Sequence, residues 1–177
     1  MTQLPPEISH PIALDRIRDT DFIFSFEATA DERNAVAGRL QEPLVEFLAC
    51  SFVLRRPAAG SRGGEIVCEG RLRARVQREC VVSLELFIEV VDQRFRVVFV
   101  PEGNESDDAD PETDDEIPYS GTMVDLGEAA VEQLALVLDP YPRKPGAKLP
   151  EDLNSEPSGP FAALARFARP DPEDEEG

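Results

Sequence analysis

The sequence predicts an α+β domain with a mostly antiparallel, curved sheet, either open or closing toward a barrel, covered by two short helices. Several neighbouring segments alternate apolar and polar residues with the period of two that half-buried strands show. The connections between these segments are short, which favours antiparallel pairing. Two other segments begin with helix-capping residues. A chain of 177 residues suits one domain over residues 8–150, with flexible ends at 1–7 and 151–177.

The first part of the domain is predicted to be β-structure over residues 11–27, where three phenylalanines recur with a period of two. A helix follows. Thr29 and Glu32 have the spacing of a capping box, so the helix is predicted to begin just after Thr29. It is predicted to run to about Leu40 and to be stopped by Pro43, because proline lacks the N–H that a helix needs.

Two long strands are predicted next. Leu44–Arg55 is an apolar run rich in valine, phenylalanine and leucine, and Pro57–Gly64 has the composition of a loop. From Ile66 to Gln77 apolar residues alternate with polar ones. One face of this strand is therefore predicted to be buried and the other to carry arginines.

The sheet is predicted to continue as a hairpin. Val81–Val91 has the composition of a strand, and residues 95–99 mark another. Asp92 and Gln93 lie between them and are predicted to form a tight turn. Strands that are joined so closely are expected to pair in one antiparallel sheet.

Charge is concentrated in two accessory segments. The chain holds 36 acidic and 18 basic residues, a net charge of −18. Glu102–Glu116 contains nine acids and no base, and the segment from Glu151 onward contains eight acids with Arg166 and Arg169, so the remainder holds 19 acids against 16 bases. Both segments are predicted to be solvated and disordered, because so many like charges cannot condense. Acidic segments repel nucleic acid and attract basic protein surfaces.

A second helix is predicted after this acidic insert. Order is predicted to return over Ile117–Val124, and Asp125 with Glu128 repeats the capping-box spacing. The helix is predicted to end at Pro140. Its buried face is predicted to consist of Val131, Leu134, Ala135 and Leu138.

The C-terminal end contains one apolar motif. Residues 160–168 are predicted to form a short helix, with Phe161, Leu164 and Phe167 along one side. Two interpretations stay open: the motif folds back onto the chain's own core, or it docks into a groove of another protein. An isolated helix of this length is marginal in water, so either interpretation requires a surface on which it can order.

No residue pattern indicates catalysis, a cofactor or a metal. Cys50, Cys68 and Cys80 form no C-x-x-C pair and His10 is the only histidine, so the cysteines are predicted to be buried, reduced thiols. The acids of 102–116 lack the glycine and distal glutamate of an EF-hand loop. Neither a signal peptide nor a membrane-spanning apolar run is found. The sequence therefore predicts a cytoplasmic protein that is not an enzyme.

Two basic regions are candidate contact surfaces. The first, the arginine stripe, consists of Arg71, Arg73 and Arg75 on one face of a predicted strand. It could bind a polyphosphate, or Glu85 and Glu89 on the next strand could neutralise it. The second region, the basic strap, is the proline-rich segment Tyr141–Lys148, which could contact a partner or serve to end the helix. Its candidate contact residues are Tyr141, Arg143, Lys144 and Lys148.

Four blocks of the sequence, taken in order, resemble the YceD family of bacterial and plastid proteins. The blocks are Val76–Glu85, Phe95–Phe99, Val124–Leu136 and Asp139–Ala147. The resemblance covers about residues 10–150, and Phe161–Phe167 resembles the tail of the alphaproteobacterial branch. It implies a cytoplasmic, non-enzymatic role in the synthesis, processing or accumulation of large-subunit ribosomal RNA. Many family members carry a cysteine pair where this chain has Gln77 and Cys80, so a metal site of paired relatives is not expected here.

The charge distribution and the resemblance together predict what the protein binds. The acidic segments would raise the capture rate of a very basic protein, such as a nascent ribosomal protein, and the sheet would supply specificity. The alternative is direct but weak binding of ribosomal RNA by the arginine stripe and the basic strap. Phosphate neutralisation drives such binding, and the field of this acidic molecule opposes it.

Overall fold

The computed structural model describes residues 6–57, 64–105 and 114–148. The strands are β1 Pro11–Ala13, β2 Phe22–Glu27, β3 Leu44–Arg55, β4 Ile66–Glu79, β5 Leu86–Pro101, β6 Asp115–Tyr119 and β7 Met123–Asp125, and the helices are α1 Ala30–Leu40 and α2 Leu126–Val137. A single 3-10 turn, Leu14–Arg16, follows β1. In the described parts of the chain, no helix is long and apolar enough to cross a membrane.

Five strands form one open sheet in the order β2-β3-β4-β5-β6, and β1 pairs with β7 in a separate two-stranded sheet. All pairs are antiparallel except β5 with β6, which run parallel. The predicted α+β class with a mostly antiparallel sheet is confirmed. Among the strands of the described residues, β2 and β6 are the two edges of this sheet, which does not close into a barrel.

The predicted hairpin turn at Asp92 and Gln93 is wrong. Both residues lie inside β5 and face residues of β4. The chain reverses earlier, where the Cys80 N–H donates to the Glu85 carbonyl at 3.0 Å and the Leu84 N–H donates to the Cys80 carbonyl at 2.8 Å. Leu84 has a φ of 58°, a left-handed conformation that a leucine rarely adopts. The turn therefore carries none of the glycine, proline or asparagine that would have marked it in the sequence.

The core lies between the inner face of the large sheet and the two helices. Its largest fully buried side chains include Phe52, Phe99, Leu48, Leu54, Leu72 and Leu134. Gly70 on β4 faces Phe95 on β5 across this inner face. A Cβ on Gly70 would lie 2.1 Å from the Phe95 ring, and that ring meets Phe52 edge-on at 5.9 Å. Glycine is thus required at position 70 by the ring that lies over it.

The beginning of α1 and its end at Leu40 follow the prediction, but the residue that ends it does not. Thr29 and Glu32 form the capping box: the Thr29 N–H donates to the Glu32 carboxylate at 2.7 Å, and the Glu32 N–H donates to the Thr29 hydroxyl at 3.3 Å. The helix ends at Leu40 because Gln41 turns left-handed, with a φ of 58°. Pro43 lies beyond this cap, so the prediction that it stops the helix is wrong.

Replacing Glu32 by alanine is expected to lower the free energy of unfolding by about 1 kcal/mol at pH 7, because the capping box is lost. The pKa of Glu32 lies below its ordinary value, chiefly because the Thr29 backbone N–H stabilises the carboxylate. Its contribution is therefore complete above the unfolded-state pKa of about 4.3 and is lost as pH falls through the lower folded-state value. Urea unfolding should show the full deficit at pH 7 and a smaller one at pH 3. Asp19→Ala, at an exposed bend, should show none.

α2 begins at its predicted cap, but the reciprocal bond of a capping box is not formed. The Asp125 carboxylate accepts from the N–H groups of Gly127 at 2.9 Å and Glu128 at 3.3 Å. It also accepts from the Ser9 hydroxyl at 2.6 Å. The Glu128 carboxylate instead binds Arg39 of α1 at 2.8 Å. Competition from this tertiary ion pair explains why the local motif is only half formed.

The buried face of α2 is confirmed except at one position. Val131, Leu134 and Leu138 are buried, whereas Ala135 is exposed. The buried stripe extends toward Ala130 instead. The helix ends at Val137, ahead of the predicted stop.

The end of the acidic insert belongs to the sheet. The segment predicted from Ile117 begins two residues earlier, as a strand, because Asp115 and Glu116 belong to β6. Ile117 and Tyr119 of this strand are partly buried against the core. Their burial keeps β6 beside β5, so Asp115 and Glu116 lie within the sheet, opposite Val97 and Val98. Residues 106–113 of the insert, and 58–63 of the glycine-rich loop, lie outside the described residues.

Candidate functional site

The arginine stripe lies on the outer face of β4, where all three side chains are exposed. Arg71 makes a bidentate pair with Asp92 of β5, with both N···O distances at 2.7 Å. This pairing holds the pKa of Asp92 below its usual range. Arg75 pairs with Glu46 at 3.2 Å. Arg73 makes no ion pair with the described residues.

The acids that were predicted to neutralise the stripe bind elsewhere. Glu89 pairs with Arg78 at 2.8 Å, and Glu85 pairs with Lys144 at 3.1 Å. Asp92 and Glu46 take their place at the stripe. Glu46 reaches it from an irregularity in β3 between Val45 and Phe47, where the pairing with β4 shifts. The stripe is therefore largely neutralised, but by acids whose position depends on strand register.

A second pair of arginines extends this outer face on β5. Arg94 lies directly across from Arg71, and Arg96 pairs with Asp114 at 3.1 Å. Arg94 makes no ion pair within the described parts of the chain. Arg73 and Arg94 are thus the two arginines of this face whose guanidinium groups are in no ion pair with the described residues.

The basic strap packs against the turn between β4 and β5. The Val81 N–H donates to the Pro142 carbonyl at 2.9 Å, and the Lys144 ammonium binds Glu85. Tyr141 is 70% exposed, and Arg143 and Lys148 are also exposed. The strap is therefore anchored to the sheet while it presents three of its four candidate contact residues to solvent.

Arg78 is the central buried charge of the described structure, and the sequence analysis did not single it out. Its side chain is only 4% exposed. The guanidinium binds Glu42 at 2.8 Å, Glu89 at 2.8 Å and the Asp139 carbonyl at 2.7 Å. These contacts tie together the α1–β3 connection, β4, β5 and the segment after α2. A signal was present, because Arg78 occupies an inward-facing position in the alternation of β4.

A cleft of about 670 Å³ opens beside Arg78, between the ends of the two helices. Its lining residues are Leu40, Gln41, Glu42, Pro43, Arg78, Glu79, Ala135, Leu138, Pro140 and Pro142. Near its C-terminal end, α2 also carries two exposed apolar side chains outside this lining, Leu136 and Val137, which are 65% and 36% exposed. The cleft thus combines apolar walls with a charged floor.

The three cysteines are free and buried, as predicted. Burial raises the pKa of Cys50 and of Cys68 to about 12. A hydrogen bond from the Ser83 side chain, helped by backbone N–H groups, lowers the pKa of Cys80 to about 7, and the Ser83 N–H donates to the Cys80 sulfur at 3.4 Å. Among the described residues, no three histidine, cysteine or acidic side chains are grouped as metal ligands would be. The apolar motif of Phe161, Leu164 and Phe167 lies outside the described residues.

One comparison with known proteins gives a match. The model of the family described as large ribosomal RNA subunit accumulation protein YceD matches residues 68–168, which is more than half of the chain. The match begins in β4, includes Arg78 and the basic strap, and extends through residues 160–168. Neither the curated proteins nor the solved structures contain a match to this chain.

Proposed function

Since the chain belongs to the YceD family of large ribosomal RNA subunit accumulation proteins, we propose that it is a cytoplasmic, non-enzymatic factor in ribosome biogenesis. It supports the accumulation of large-subunit ribosomal RNA by binding a basic protein, such as a ribosomal protein that has not yet been assembled. The protein partner, and not the RNA, is its principal contact.

The observation that carries this choice is the pairing of the arginines on the sheet. Arg71, Arg75 and Arg96 on the outer face each lie within 3.2 Å of a carboxylate oxygen. Phosphate binding requires basic side chains that are free to displace counterions. A face whose cations are mostly paired, in a chain of net charge −18, favours a cationic protein over a polyanion.

The acidic segment between β5 and β6 would act on the rate of capture. Charges that lie farther apart than the Debye length, about 8 Å at physiological ionic strength, are largely screened. Steering by such a segment is therefore expected to be strong at low salt and weak at high salt.

Neutralising this segment should slow the association with a basic ribosomal protein by about tenfold at low salt, with little effect at high salt. The substitutions are Asp107→Asn, Asp108→Asn, Asp110→Asn and Glu112→Gln, which keep the length of the connection. They spare Asp114, which binds Arg96, and the strand that begins at Asp115. Stopped-flow fluorescence with purified large-subunit ribosomal proteins measures the rate.

A matched control removes four exposed acids from the folded body and so makes the same change in net charge. Its substitutions are Asp15→Asn, Asp19→Asn, Glu27→Gln and Asp31→Asn. Equal slowing in both variants would show that only total charge matters, and an unchanged rate in the first would exclude a role for the segment.

A second candidate function, direct binding of ribosomal RNA, is favoured by Arg73 and Arg94, which are exposed without an ion pair to the described residues. The double variant Arg73→Glu/Arg94→Glu should then weaken binding of a ribosomal RNA fragment by at least about tenfold and flatten its salt dependence. Electrophoretic mobility shift at several salt concentrations measures both. The same affinity in variant and wild type would remove this candidate.

A further inference from the structure

We propose that the cleft beside Arg78 is the docking site for an extended segment of the basic partner, a segment in which lysine or arginine residues are interspersed with apolar ones. This inference rests on the proposed function and names the surface that would give it specificity. It follows from the shape, the rigidity and the charge of the cleft.

The shape suits a peptide. A cavity of about 670 Å³ falls within the range of about 300–1,000 Å³ that ligand sites occupy. Leu40 and Leu138 supply apolar walls. Apolar side chains of an extended segment could seat between these walls.

The cleft is preformed. Three of its lining residues are prolines, which have a fixed φ and lose little freedom when a partner binds. Below them, the contacts of Arg78 with Glu42 and with the Asp139 carbonyl join the two sides of the cleft. The partner therefore has few residues of the cleft to immobilise when it binds, and this low entropic cost favours affinity and specificity.

The charged residues that line the cleft favour a cationic ligand. Arg78 is the only basic residue among those that line the cleft, and it is occupied by Glu42 and Glu89. Glu79 also lines the cleft, is exposed and makes no ion pair with the described residues. Among the described residues that line the cleft, one guanidinium is therefore outnumbered by two carboxylates, Glu42 and Glu79, and Glu89 binds the same guanidinium from outside the lining. Such a site repels phosphate and pairs with lysine or arginine, so it fits the basic protein and not the RNA.

Two substitutions test the cleft at exposed positions. Ala135→Trp places a large ring at its wall, and Glu79→Lys reverses the charge of its unpaired acid. Each has a matched control outside the cleft: Ala35→Trp on the exposed face of α1 and Glu27→Lys on β2. The probe is the purified, fluorescently labelled large-subunit ribosomal protein that binds the wild-type chain most tightly. Its dissociation constant is measured by anisotropy.

Both cleft variants are expected to raise the dissociation constant by about tenfold or more, while both controls stay within about twofold of wild type. Circular dichroism verifies folding, and Glu79→Lys decides the question if the tryptophan variant fails to fold. Wild-type affinity in Glu79→Lys, or equal losses in the controls, would overturn the cleft as the site and leave the proposed function standing. Failure of every ribosomal protein to bind the wild-type chain would overturn the proposed function itself. A ribosomal RNA fragment that loses binding in Ala135→Trp would assign the cleft to RNA instead.

Discussion

Replacing Arg78 by methionine is expected to lower the free energy of unfolding by about 3–5 kcal/mol, because it leaves two largely buried carboxylates without their cation. Methionine keeps the length of the side chain but removes the charge. The Glu42 and Glu89 carboxylates, whose side chains are 11% and 29% exposed, would then lie close together without a counterion. Urea unfolding followed by circular dichroism measures the loss.

Two further variants give this prediction its control. Arg75→Met breaks an ion pair on the exposed face and should cost less than about 1 kcal/mol. The triple variant Arg78→Met/Glu42→Gln/Glu89→Gln removes the stranded charges and should recover much of the loss, because the three side chains act as one unit. An Arg78→Met protein as stable as wild type would mean that the cluster contributes nothing to the fold.

Gly70→Ala is expected to destabilise the protein by about 1–3 kcal/mol through overpacking. The added Cβ would lie 2.1 Å from the Phe95 ring, so the ring must move and give up its edge-on contact with Phe52. Adding Phe95→Leu should recover part of this loss, because a smaller side chain can share the space. Urea unfolding of the single and double variants measures the coupling.

The same substitution at another glycine should have the opposite sign. Gly38 lies inside α1 with nothing within 4 Å of the position of its missing Cβ. Gly38→Ala should therefore stabilise the protein by about 0.5–1 kcal/mol. Equal effects at Gly38 and Gly70 would indicate that backbone entropy, and not the Phe95 ring, governs both positions.

Local signals in the sequence were sufficient for much of the fold. The capping residues Thr29 and Asp125 placed the beginnings of both helices, and the bounds of Leu44–Arg55 as a strand are confirmed. Each of these features depends on interactions within a few residues, or on a hydrophobic period that a short window contains. The alternation of buried and exposed side chains along β4 could also be predicted, because one face of its sheet is buried.

Features that depend on register or on backbone strain could not be predicted. The partner of Arg71 is Asp92, and only the alignment of β4 with β5 brings them together. The reversal at Leu84 requires a left-handed leucine, which the surrounding contacts impose against its own preference. Arg78 was visible as a polar residue at a core position, but its acids come from distant parts of the chain.

The parallel pairing of β5 with β6 determines how far the connection between these two strands must reach, and so how well it tolerates a change in length. The chain leaves β5 at Pro101 and re-enters the sheet at Asp115, which lies opposite Val97, so the connection has to bridge about 13 Å along the strand direction. Doubling the length of such a connection costs only about 0.6 kcal/mol. This junction is therefore a permissive insertion point, where evolution can add or delete acids, and an experimenter can graft an affinity tag or a fluorescent module, without altering the strands on either side.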